Sequence, residues 1–413
     1  MPKRMMIARL DSGTTAPRVI GLLPLLTTAA AFGVANLYYA QPLVERMATD
    51  LQATPAELSP TLVGGQLGYA AGMLLLVPLG DVRERRGVMV TTAFGGALAL
   101  LAYALAPTIG LLTVASVAIG LGASIVQMIL PFAVSLGEPR DRGRIVGNVM
   151  GGVLAGILLS RTVSGLLGSV IGWRAVFVCA ACVMAVVSLA IRLFVPLSPP
   201  TTTLPYRTLL ASLGRIFVRE RVLRRRAVIG ALGFASFMMF WSTIAYQVAH
   251  EGIGGSGTAG MLGVIGLTGI VVAPIVGRMA MTVAPAKINL VALGTIALAF
   301  AVFALGHRSL VAICVGVVLL DAGCQANHLT NQTVVFGLAP AERNRANAIY
   351  MVGYFVGGAG GTAIAAQCWQ YGGWTTVCLA GGASSLLAIP ALRFQVSKTA
   401  DGGFAPAGDR HER

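Results

Sequence analysis

The stretch PLGDVRERRG (78–87) carries five charged residues in ten positions and lies between two long apolar stretches. The apolar stretch before it covers 58–80, and the one after it covers 88–107. A helix that crosses a lipid bilayer needs about 20 mainly apolar residues, and both stretches reach this length. The charged segment is therefore predicted to be a short loop that joins two membrane-spanning helices.

The rest of the chain is similarly poor in charge. Of its 413 residues, 56% are hydrophobic and 11% are charged. A soluble domain carries roughly 25% charged residues, so this chain cannot cover a water-facing surface. The composition excludes a soluble enzyme, a nucleic-acid-binding protein and a disordered protein.

Twelve apolar stretches of sufficient length follow one another along the chain. They predict an all-α membrane protein with twelve transmembrane helices in two six-helix bundles, because backbone polar groups in lipid must be satisfied within each helix. A proline at position 131 predicts a kink in the fourth stretch. The approximate limits of the stretches are 19–41, 58–80, 88–107, 110–133, 145–171, 174–196, 227–249, 257–277, 288–306, 309–337, 346–370 and 374–393.

The basic residues indicate how the chain is oriented in the membrane. Of the 30 Lys and Arg residues, all but four lie in segments that share one side of the membrane. The exceptions are Arg46, Arg174 and Arg308 in the opposite loops and Arg161 within a stretch. Basic loops face the cytoplasm, so we expect a multi-pass protein of the inner (plasma) membrane with both termini cytoplasmic. The net charge of +15 then needs no nucleic-acid partner.

The two halves of the chain repeat each other at an offset of 201 residues. Arg-x-Arg at 142–144 recurs at 343–345, and Gly-Trp at 172–173 recurs at 373–374. Such repeats are typical of transporters whose two bundles rock around a central site. The predicted organisation is a cytoplasmic N-terminal segment (1–18), an N-terminal bundle (19–196), a cytoplasmic central loop (197–226), a C-terminal bundle (227–393) and a disordered cytoplasmic tail (394–413).

The central loop has a helical pattern of its own. Leu209, Leu213 and Phe217 recur at helical spacing among basic residues. This pattern predicts either a helix on the inner membrane surface or a plain cytoplasmic connector.

The loop at 78–87 resembles the signature loop of the major facilitator superfamily. In that family an Asp and a pair of basic residues link helix ends and latch one conformational state, and the matching residues are Asp81, Arg85 and Arg86. Glu84 stands where the family motif has a glycine. The resemblance implies the major facilitator fold and transport by alternating access.

Two further motifs resemble the bacterial drug:proton antiporter branch of that family. They are ANLYYAQPL (35–43) in the first stretch and LLDAGCQANHLTNQ (319–332) in the tenth. The resemblance implies proton-coupled export of a small amphipathic molecule or drug by a monomer without cofactors. A facilitated-diffusion carrier, a metabolite symporter and a non-transporting membrane sensor remain alternatives.

Full charges inside the stretches are the candidates for proton coupling. A charge at the centre of a membrane helix costs about 2.5–3.5 kcal/mol, so retained charges usually face a cavity or a partner. Asp321 is the first candidate for carrying a proton, and His328, on the same helix face, is the second. A static pair of Asp321 with Arg161 is the alternative.

Polar and aromatic residues near the predicted midplane are the candidates for a substrate cavity. An apolar pocket with a few polar groups suits an amphipathic organic substrate, although the aromatic residues could serve helix packing alone. Arg161 could bind an anionic group of the substrate or neutralise Asp321. The candidates are Asn36, Tyr39, Gln127, Arg161, Trp241, Gln325 and Asn331.

No stretch of the sequence predicts an enzyme. The sequence shows no clustered set of metal ligands, no nucleophile motif and no phosphate-binding loop. Cys179 and Cys182 have the spacing of a metal or redox site but lie in an apolar stretch, so they are interpreted as small core residues.

Overall fold

Long apolar helices form almost all of the computed structural model, which describes residues 15–200, 202–266, 268–338 and 342–393. The all-helical fold class is confirmed. The predicted tail at 394–413 and residues 1–14 of the N-terminal segment lie outside the described residues. The N-terminal half contains α1 (Thr15–Ala35), α2 (Val44–Asp50), α3 (Pro55–Val82), α4 (Arg85–Leu105), α5 (Ile109–Ala123), α6 (Ile125–Leu136), α7 (Arg142–Ile171) and α8 (Trp173–Phe194).

A separate helix follows in the central loop, and the C-terminal half then begins. The loop helix is α9 (Tyr206–Arg219). The C-terminal half contains α10 (Arg221–His250), α11 (Ser256–Ile265), α12 (Thr268–Met279), α13 (Pro285–Leu305), α14 (Leu310–Phe336), α15 (Arg343–Leu387) and α16 (Pro390–Arg393). Within α15, Gly373 has non-helical backbone angles, so this element consists of two helices joined at a kink.

Each predicted apolar stretch coincides with helix, but the number of crossings stays a prediction. Within the described residues, nine helices are long and apolar enough to cross a membrane. One of these is the continuous run 343–392, which holds the last two predicted spans. Two further apolar helices, Gly21–Ala35 and Ser256–Ile265, are shorter than a crossing requires.

The two halves repeat the same helix contact. Gly156 of α7 lies so close to Ala31 of α1 that a side chain at this position would overlap its backbone. Gly357 of α15, which the repeat aligns with Gly156, lies in the same way against Ala231 of α10. Small residues allow helix backbones to approach this closely.

The aligned Gly-Trp pairs also have matching geometry. Gly172 has φ of 83° and Gly373 has φ of 63°, values that residues with a Cβ rarely adopt. Each glycine makes a sharp joint between two membrane helices. The tryptophan that follows is buried in both halves, and its indole N–H donates to Asp50 in the first half and to the Phe303 carbonyl in the second.

The first predicted span does not remain helical to its end. α1 stops at Ala35, and turns lead to a 3₁₀ segment at Gln41–Leu43. The hydrogen bonds shorten to three-residue steps, as from the Tyr38 N–H to the Ala35 carbonyl at 2.9 Å. Pro42 cannot donate a helical hydrogen bond, so the regular helix cannot resume through this segment. Irregular backbone at membrane depth is tolerated where protein surrounds it, and this segment is largely buried.

The fourth stretch is interrupted at a position that the sequence did not indicate. The break lies at Ser124, between α5 and α6, and Pro131 lies inside α6. The Ser124 hydroxyl donates to the Leu121 carbonyl at 2.7 Å, which competes with the regular helix ladder. Gly72 of α3 provides the space for Ser124 at this point.

The two halves meet closely at one end of the molecule. We call it the outer end, because the predicted orientation places its loops outside the cell. There α7 packs against α11, and the Thr162 hydroxyl donates to the Gly260 carbonyl at 2.9 Å. A second contact between the halves joins α3 to α15, where the Gln66 amide donates to the Thr362 hydroxyl at 3.0 Å. The next helix of the C-terminal half, α12, packs against α14.

The central loop helix α9 bridges the two halves at the inner end. Leu213 and Ile216 are buried against the inner parts of α10 and α15. The Tyr206 hydroxyl donates to the Leu75 carbonyl of α3 at 2.8 Å. Phe217 is 45% exposed, so it lies outside this protein contact. The predicted placement of α9 on the inner membrane surface stays a prediction.

The interpretation of Cys179 and Cys182 as core residues is wrong. Both side chains are exposed on the outer surface of α8. Among the described residues, no group of three or more His, Cys, Asp or Glu side chains could hold a metal ion.

The contact between α7 and α11 generates a prediction about stability. In Gly260→Ala the new methyl group would lie 2.7 Å from the Arg161 carbonyl oxygen. Overpacking of this kind costs about 1–3 kcal/mol, so we expect a lower Tm of the detergent-purified protein. Gly257→Ala on the same helix is the matched control, because its nearest neighbour lies 3.8 Å away. Equal Tm values for the two variants would contradict the contact.

Candidate functional site

Arg161 lies at the boundary between the two halves. Its side chain extends from the middle of α7 and is 1% exposed. The guanidinium Nε donates to Gln41 Oε1 at 2.7 Å, and Nη1 donates to the Ile157 carbonyl at 3.4 Å. The 3₁₀ segment after α1 therefore brings Gln41 to this guanidinium. The sequence predicted a continuous helix through residue 41 and did not indicate this contact.

Aromatic rings from both halves surround the same guanidinium. Its central carbon lies 4.7 Å from the centre of the Tyr38 ring, which belongs to the N-terminal half. It lies 4.2 Å from the Trp241 ring and 5.5 Å from the Phe237 ring, both on α10. Cation–π contacts stabilise a buried cation without using its N–H donors. These contacts thus stabilise the guanidinium charge and leave some of its N–H groups available for hydrogen bonds.

Asp321 faces Arg161 from the other half of the molecule. It lies near the middle of α14 and is 7% exposed. The charge of Arg161 acts on this carboxylate, but within the described residues the two side chains form no ion pair at 4.0 Å or less. The predicted static salt bridge is therefore not formed as a direct contact.

The helix α11 supports both charged groups. A Cβ on Gly263 would lie 3.1 Å from the Cβ of Arg161. A Cβ on Gly266, three residues further, would collide with Asp321 Oδ2. Three helical residues rise about 4.5 Å, so the two side chains approach neighbouring positions on one helix.

Buried polar atoms of both charged side chains have no hydrogen-bond partner within the described part of the chain. They are Nη2 of Arg161 and Oδ2 of Asp321. The indole N–H of Trp241 lies beside Asp321 and acts on its carboxylate as a donor. A buried polar atom without a partner costs about 1–3 kcal/mol. The Arg161 donor and the Asp321 acceptor are therefore available to polar groups of a substrate, and Asp321 is also available to a proton.

The other residues predicted for the first span are buried in the same irregular segment. Asn36 is 6% exposed and Tyr39 is 7% exposed. Asn36 Oδ1 also has no hydrogen-bond partner among the described residues. This segment therefore places Asn36, Tyr39 and Gln41 in the protein interior close to Tyr38.

The polar residues Gln325 and His328, which follow Asp321 on α14, lie in two different environments. Gln325 is half-buried and lies one helical turn from Asp321. His328 instead contacts α15, where its Nδ1 lies 3.1 Å from the Tyr350 hydroxyl and its ring lies 4.6 Å from that of Tyr354. The structure thus does not bring His328 into contact with Asp321.

Gln127, the predicted cavity residue of the fourth span, bonds within its own half. Its amide nitrogen donates to the Tyr69 hydroxyl at 2.8 Å. The Tyr69 ring in turn lies 4.4 Å from the Phe355 ring of the C-terminal half. Gln127 is therefore positioned close to the boundary between the halves, where it bonds to Tyr69 rather than to Arg161.

Asn331 belongs to a different buried cluster. Its Oδ1 accepts from Arg226 Nη1 at 3.0 Å, and the same nitrogen donates to Asn289 Oδ1 at 2.6 Å. Asn289 also donates to Asn327 Oδ1 at 2.7 Å. All four side chains lie inside the C-terminal half, so Asn331 is not placed at the Arg161 site.

Sequence reasoning missed the role of Arg226. It was assigned to the cytoplasmic loop, but α10 begins at Arg221 and Arg226 is 1% exposed. The available signal was the pair Val222 and Leu223, which extends the apolar pattern of the seventh span toward the N-terminus. The buried partner Asn289 gave a second signal near the start of the ninth span.

The predicted latch residues hold the inner end of the N-terminal half together. Arg85 Nη2 lies 2.7 Å from Asp81 Oδ1 across the end of α3 and the start of α4. Arg86 Nη1 donates to the Val195 carbonyl at 3.2 Å, which connects α4 to the end of α8. The Asp81 carbonyl accepts from the Thr202 N–H at 3.3 Å. The latch therefore also contacts the beginning of the central loop.

Glu84, which replaces a family glycine, has a structural role in this loop. Its carboxylate accepts hydrogen bonds from the N–H groups of Arg86 and Gly87 and so caps α4. It also accepts from the Ser198 N–H of the central loop at 3.1 Å. Burial opposes ionisation of Glu84, but these backbone N–H groups outweigh it and lower the pKa.

Comparisons with known proteins agree with this architecture. Residues 25–319 match the model of the Major Facilitator Superfamily. A putative uncharacterized transporter of Escherichia coli, YgaY, is 38% identical over 367 residues, which cover 89% of this chain and 93% of that protein. A probable transporter of Streptomyces coelicolor, SCO4007, is 32% identical over 364 residues, covering 87% of this chain and 84% of that protein.

Solved structures with the same fold are more distant in sequence. A bacterial homologue of the human lysosomal transporter Spinster, in an inward-facing and occupied conformation, has a TM-score of 0.72 at 13% identity and covers 95% of this chain and 99% of its own. The human organic anion transporter MFSD10 has a TM-score of 0.66 at 17% identity, covering 91% and 99%. A mutant of the nucleoside transporter NupG has a TM-score of 0.72 at 16% identity, covering 90% and 99%. The chain is a multi-pass membrane transporter that belongs to the major facilitator superfamily.

Proposed function

We propose that the protein is a secondary active transporter that exports a small amphipathic organic molecule in exchange for protons. Transport proceeds by alternating access, in which the two halves rock about the interface that contains Arg161 and Asp321. The positive-inside pattern supports an inner-membrane location with both termini in the cytoplasm. The export direction rests on the resemblance to the drug:proton antiporters.

One observation carries the proposal. Arg161 and Asp321 have opposite charges, come from different halves, and are buried near each other without a direct ion pair. A buried pair that is joined stabilises one arrangement, whereas these two groups keep free atoms for other partners. Protonation of Asp321 would remove one of the two charges and change the attraction between the halves. A proton that binds the two conformations unequally shifts their equilibrium.

Asp321 rather than His328 is the principal proton site in this proposal. His328 lies seven residues along α14, which corresponds to about 10 Å, and its ring nitrogen is engaged with Tyr350. Arg161 is the charged group that acts on Asp321, and the Asp321 charge in turn acts on the neighbouring Cys324 and Tyr354. Arg161 supplies the opposing charge among them.

The remaining predicted residues have supporting roles in the proposal. Asn36, Tyr39, Trp241 and Gln325 contribute to the substrate cavity around Arg161. Gln127 and Asn331 hold adjacent helices through the hydrogen bonds described above. We propose that Asp81, Arg85 and Arg86 act as a latch, since their contacts join the ends of α3, α4 and α8 to the central loop.

The solved neighbours do not indicate the substrate. One is named as a nucleoside transporter and another as an organic anion transporter, although both share the fold. Substrate choice therefore depends on side chains in the cavity. A flux screen in proteoliposomes with amphipathic amines, acids and amino acids, with and without an imposed pH gradient, tests the proposed function directly.

The first prediction concerns proton coupling. Asp321→Asn keeps the size of the side chain but cannot exchange a proton, so transport driven by a pH gradient should fall to the level of empty liposomes. His328→Gln is the matched control on the same helix and should retain gradient-driven flux. Flux with the wild-type pH dependence in Asp321→Asn would reject Asp321 as the proton site. If wild-type flux were the same with and without an imposed pH gradient, the result would indicate facilitated diffusion.

The second prediction concerns the support of Asp321 by α11. A methyl group in Gly266→Ala would collide with Asp321 Oδ2 and displace the carboxylate. We expect loss of gradient-driven flux in protein that still reaches the membrane and elutes as a single species. Gly277→Ala, in the same predicted span, is the control, because nothing lies within 4 Å of its added Cβ among the described residues. Equal flux in both variants would show that the position of the carboxylate does not matter.

A further inference from the structure

We propose that the substrate is amphoteric: a small molecule with an apolar body, an acid group that binds Arg161 and an ammonium group that binds Asp321. Apolar and aromatic α-amino acids belong to this chemical class. The inference rests on the proposed function, since it assumes that the Arg161–Asp321 site is the transport site. It goes further by assigning one substrate group to each charged side chain.

The charges of the site support this assignment. Arg161 offers an unshared donor, Nη2, and Asp321 offers an unshared acceptor, Oδ2, among the described residues. Both groups are buried, where an uncompensated charge is most costly. A substrate with an acid group alone would lie beside the Asp321 carboxylate, and one with an amine alone would lie beside the Arg161 guanidinium. A zwitterion meets both with opposite charges and adds no net charge to the interior.

The positions of the two groups match such a molecule. Arg161 and Asp321 contact α11 at Gly263 and Gly266, which lie within one helical turn. The two side chains are near each other but not in direct contact, so a small bridging group fits between them better than a long flexible one. An α-amino acid carries its ammonium and carboxylate groups on a single carbon. This is the most compact arrangement of two opposite charges in an organic molecule.

The aromatic rings provide the apolar part of the site. Tyr38, Phe237 and Trp241 place their rings 4.2–5.5 Å from the central carbon of the guanidinium. A planar fork is suited to carboxylate binding. The same rings offer an apolar surface to the body of a substrate.

An ammonium group at Asp321 also accounts for exchange. The proton and the ammonium group would occupy the same carboxylate in turn, so binding of one excludes the other. The ionisable groups around this carboxylate are Arg161, Cys324 and Tyr354. Of these, Arg161 is occupied by the acid group of the same substrate, which leaves Asp321 as the group that alternates between proton and substrate.

Ligand binding to the detergent-purified full chain tests the proposal. Thermal stabilisation is measured for L-phenylalanine, L-leucine and L-tryptophan, each with its methyl ester, which lacks the acid group, and its deaminated acid, which lacks the amine. Bound ligand raises the Tm in proportion to its affinity and concentration. We expect at least one amino acid to bind about 10- to 100-fold more tightly than both of its analogues, as loss of a charged hydrogen bond implies. The proposal is overturned if no amino acid stabilises the protein, or if an ester or an acid binds as tightly.

Variants assign each substrate group to its side chain. Arg161→Gln should weaken binding of the amino acid and remove its advantage over the methyl ester, and Arg161→Lys should restore part of it. Asp321→Asn should remove the advantage over the deaminated acid. Arg308→Gln and Asp141→Asn, in loops away from the site, are the matched controls and should bind as the wild type does. Loss of the same advantage in both site variants, with no difference between ester and acid, would contradict the assignment.

Binding and flux separate this inference from the proposed function. An amino acid that binds with the predicted pattern but is not moved by a pH gradient would refute proton-coupled transport and leave the amphoteric site intact. Proton-driven flux of a purely cationic or purely anionic compound, without amino-acid binding, would support the proposed function and refute the amphoteric substrate.

Discussion

The burial of two opposite charges at the boundary between the halves is the constraint on which the rest of this molecule depends. In a low-dielectric interior each charge needs compensation, and Arg161 receives it from Gln41 and three aromatic rings as well as from Asp321. Because the compensation is divided, neither half is bound rigidly to the other. The interface can therefore respond to a proton or a substrate group at a single place.

Close helix packing at the outer end keeps that interface narrow. Gly165 and Gly260 let α7 and α11 approach until their backbones touch. Thr162 and Gln66 add hydrogen bonds between the halves on the two opposite sides. The inner end is joined differently, through α9, which contacts α3 and also α10 and α15.

Much of the architecture could be predicted because lipid imposes strong rules on sequence. The twelve apolar stretches all contain helix, and the glycines aligned by the repeat make equivalent contacts. Errors arose where local chemistry alters a helix. Ser124 interrupts the fourth stretch at a position that no sequence pattern indicated, and the segment before Pro42 leaves helical geometry early. Spacing alone also does not reveal which side of α9 meets the protein, where Ile216 is buried and Phe217 is exposed.

Composition and periodicity established the helical membrane class, the duplicated halves and the isolated charges, since each of these follows from local rules of solvation. Partners could not be assigned in the same way, because they depend on how distant helices pack. Asp321, His328 and Asn331 share one helix, yet folding directs them to Arg161, Tyr350 and Arg226 respectively. Contacts between residues far apart in the chain arise from three-dimensional packing, and those contacts distinguish a substrate site from a structural cluster.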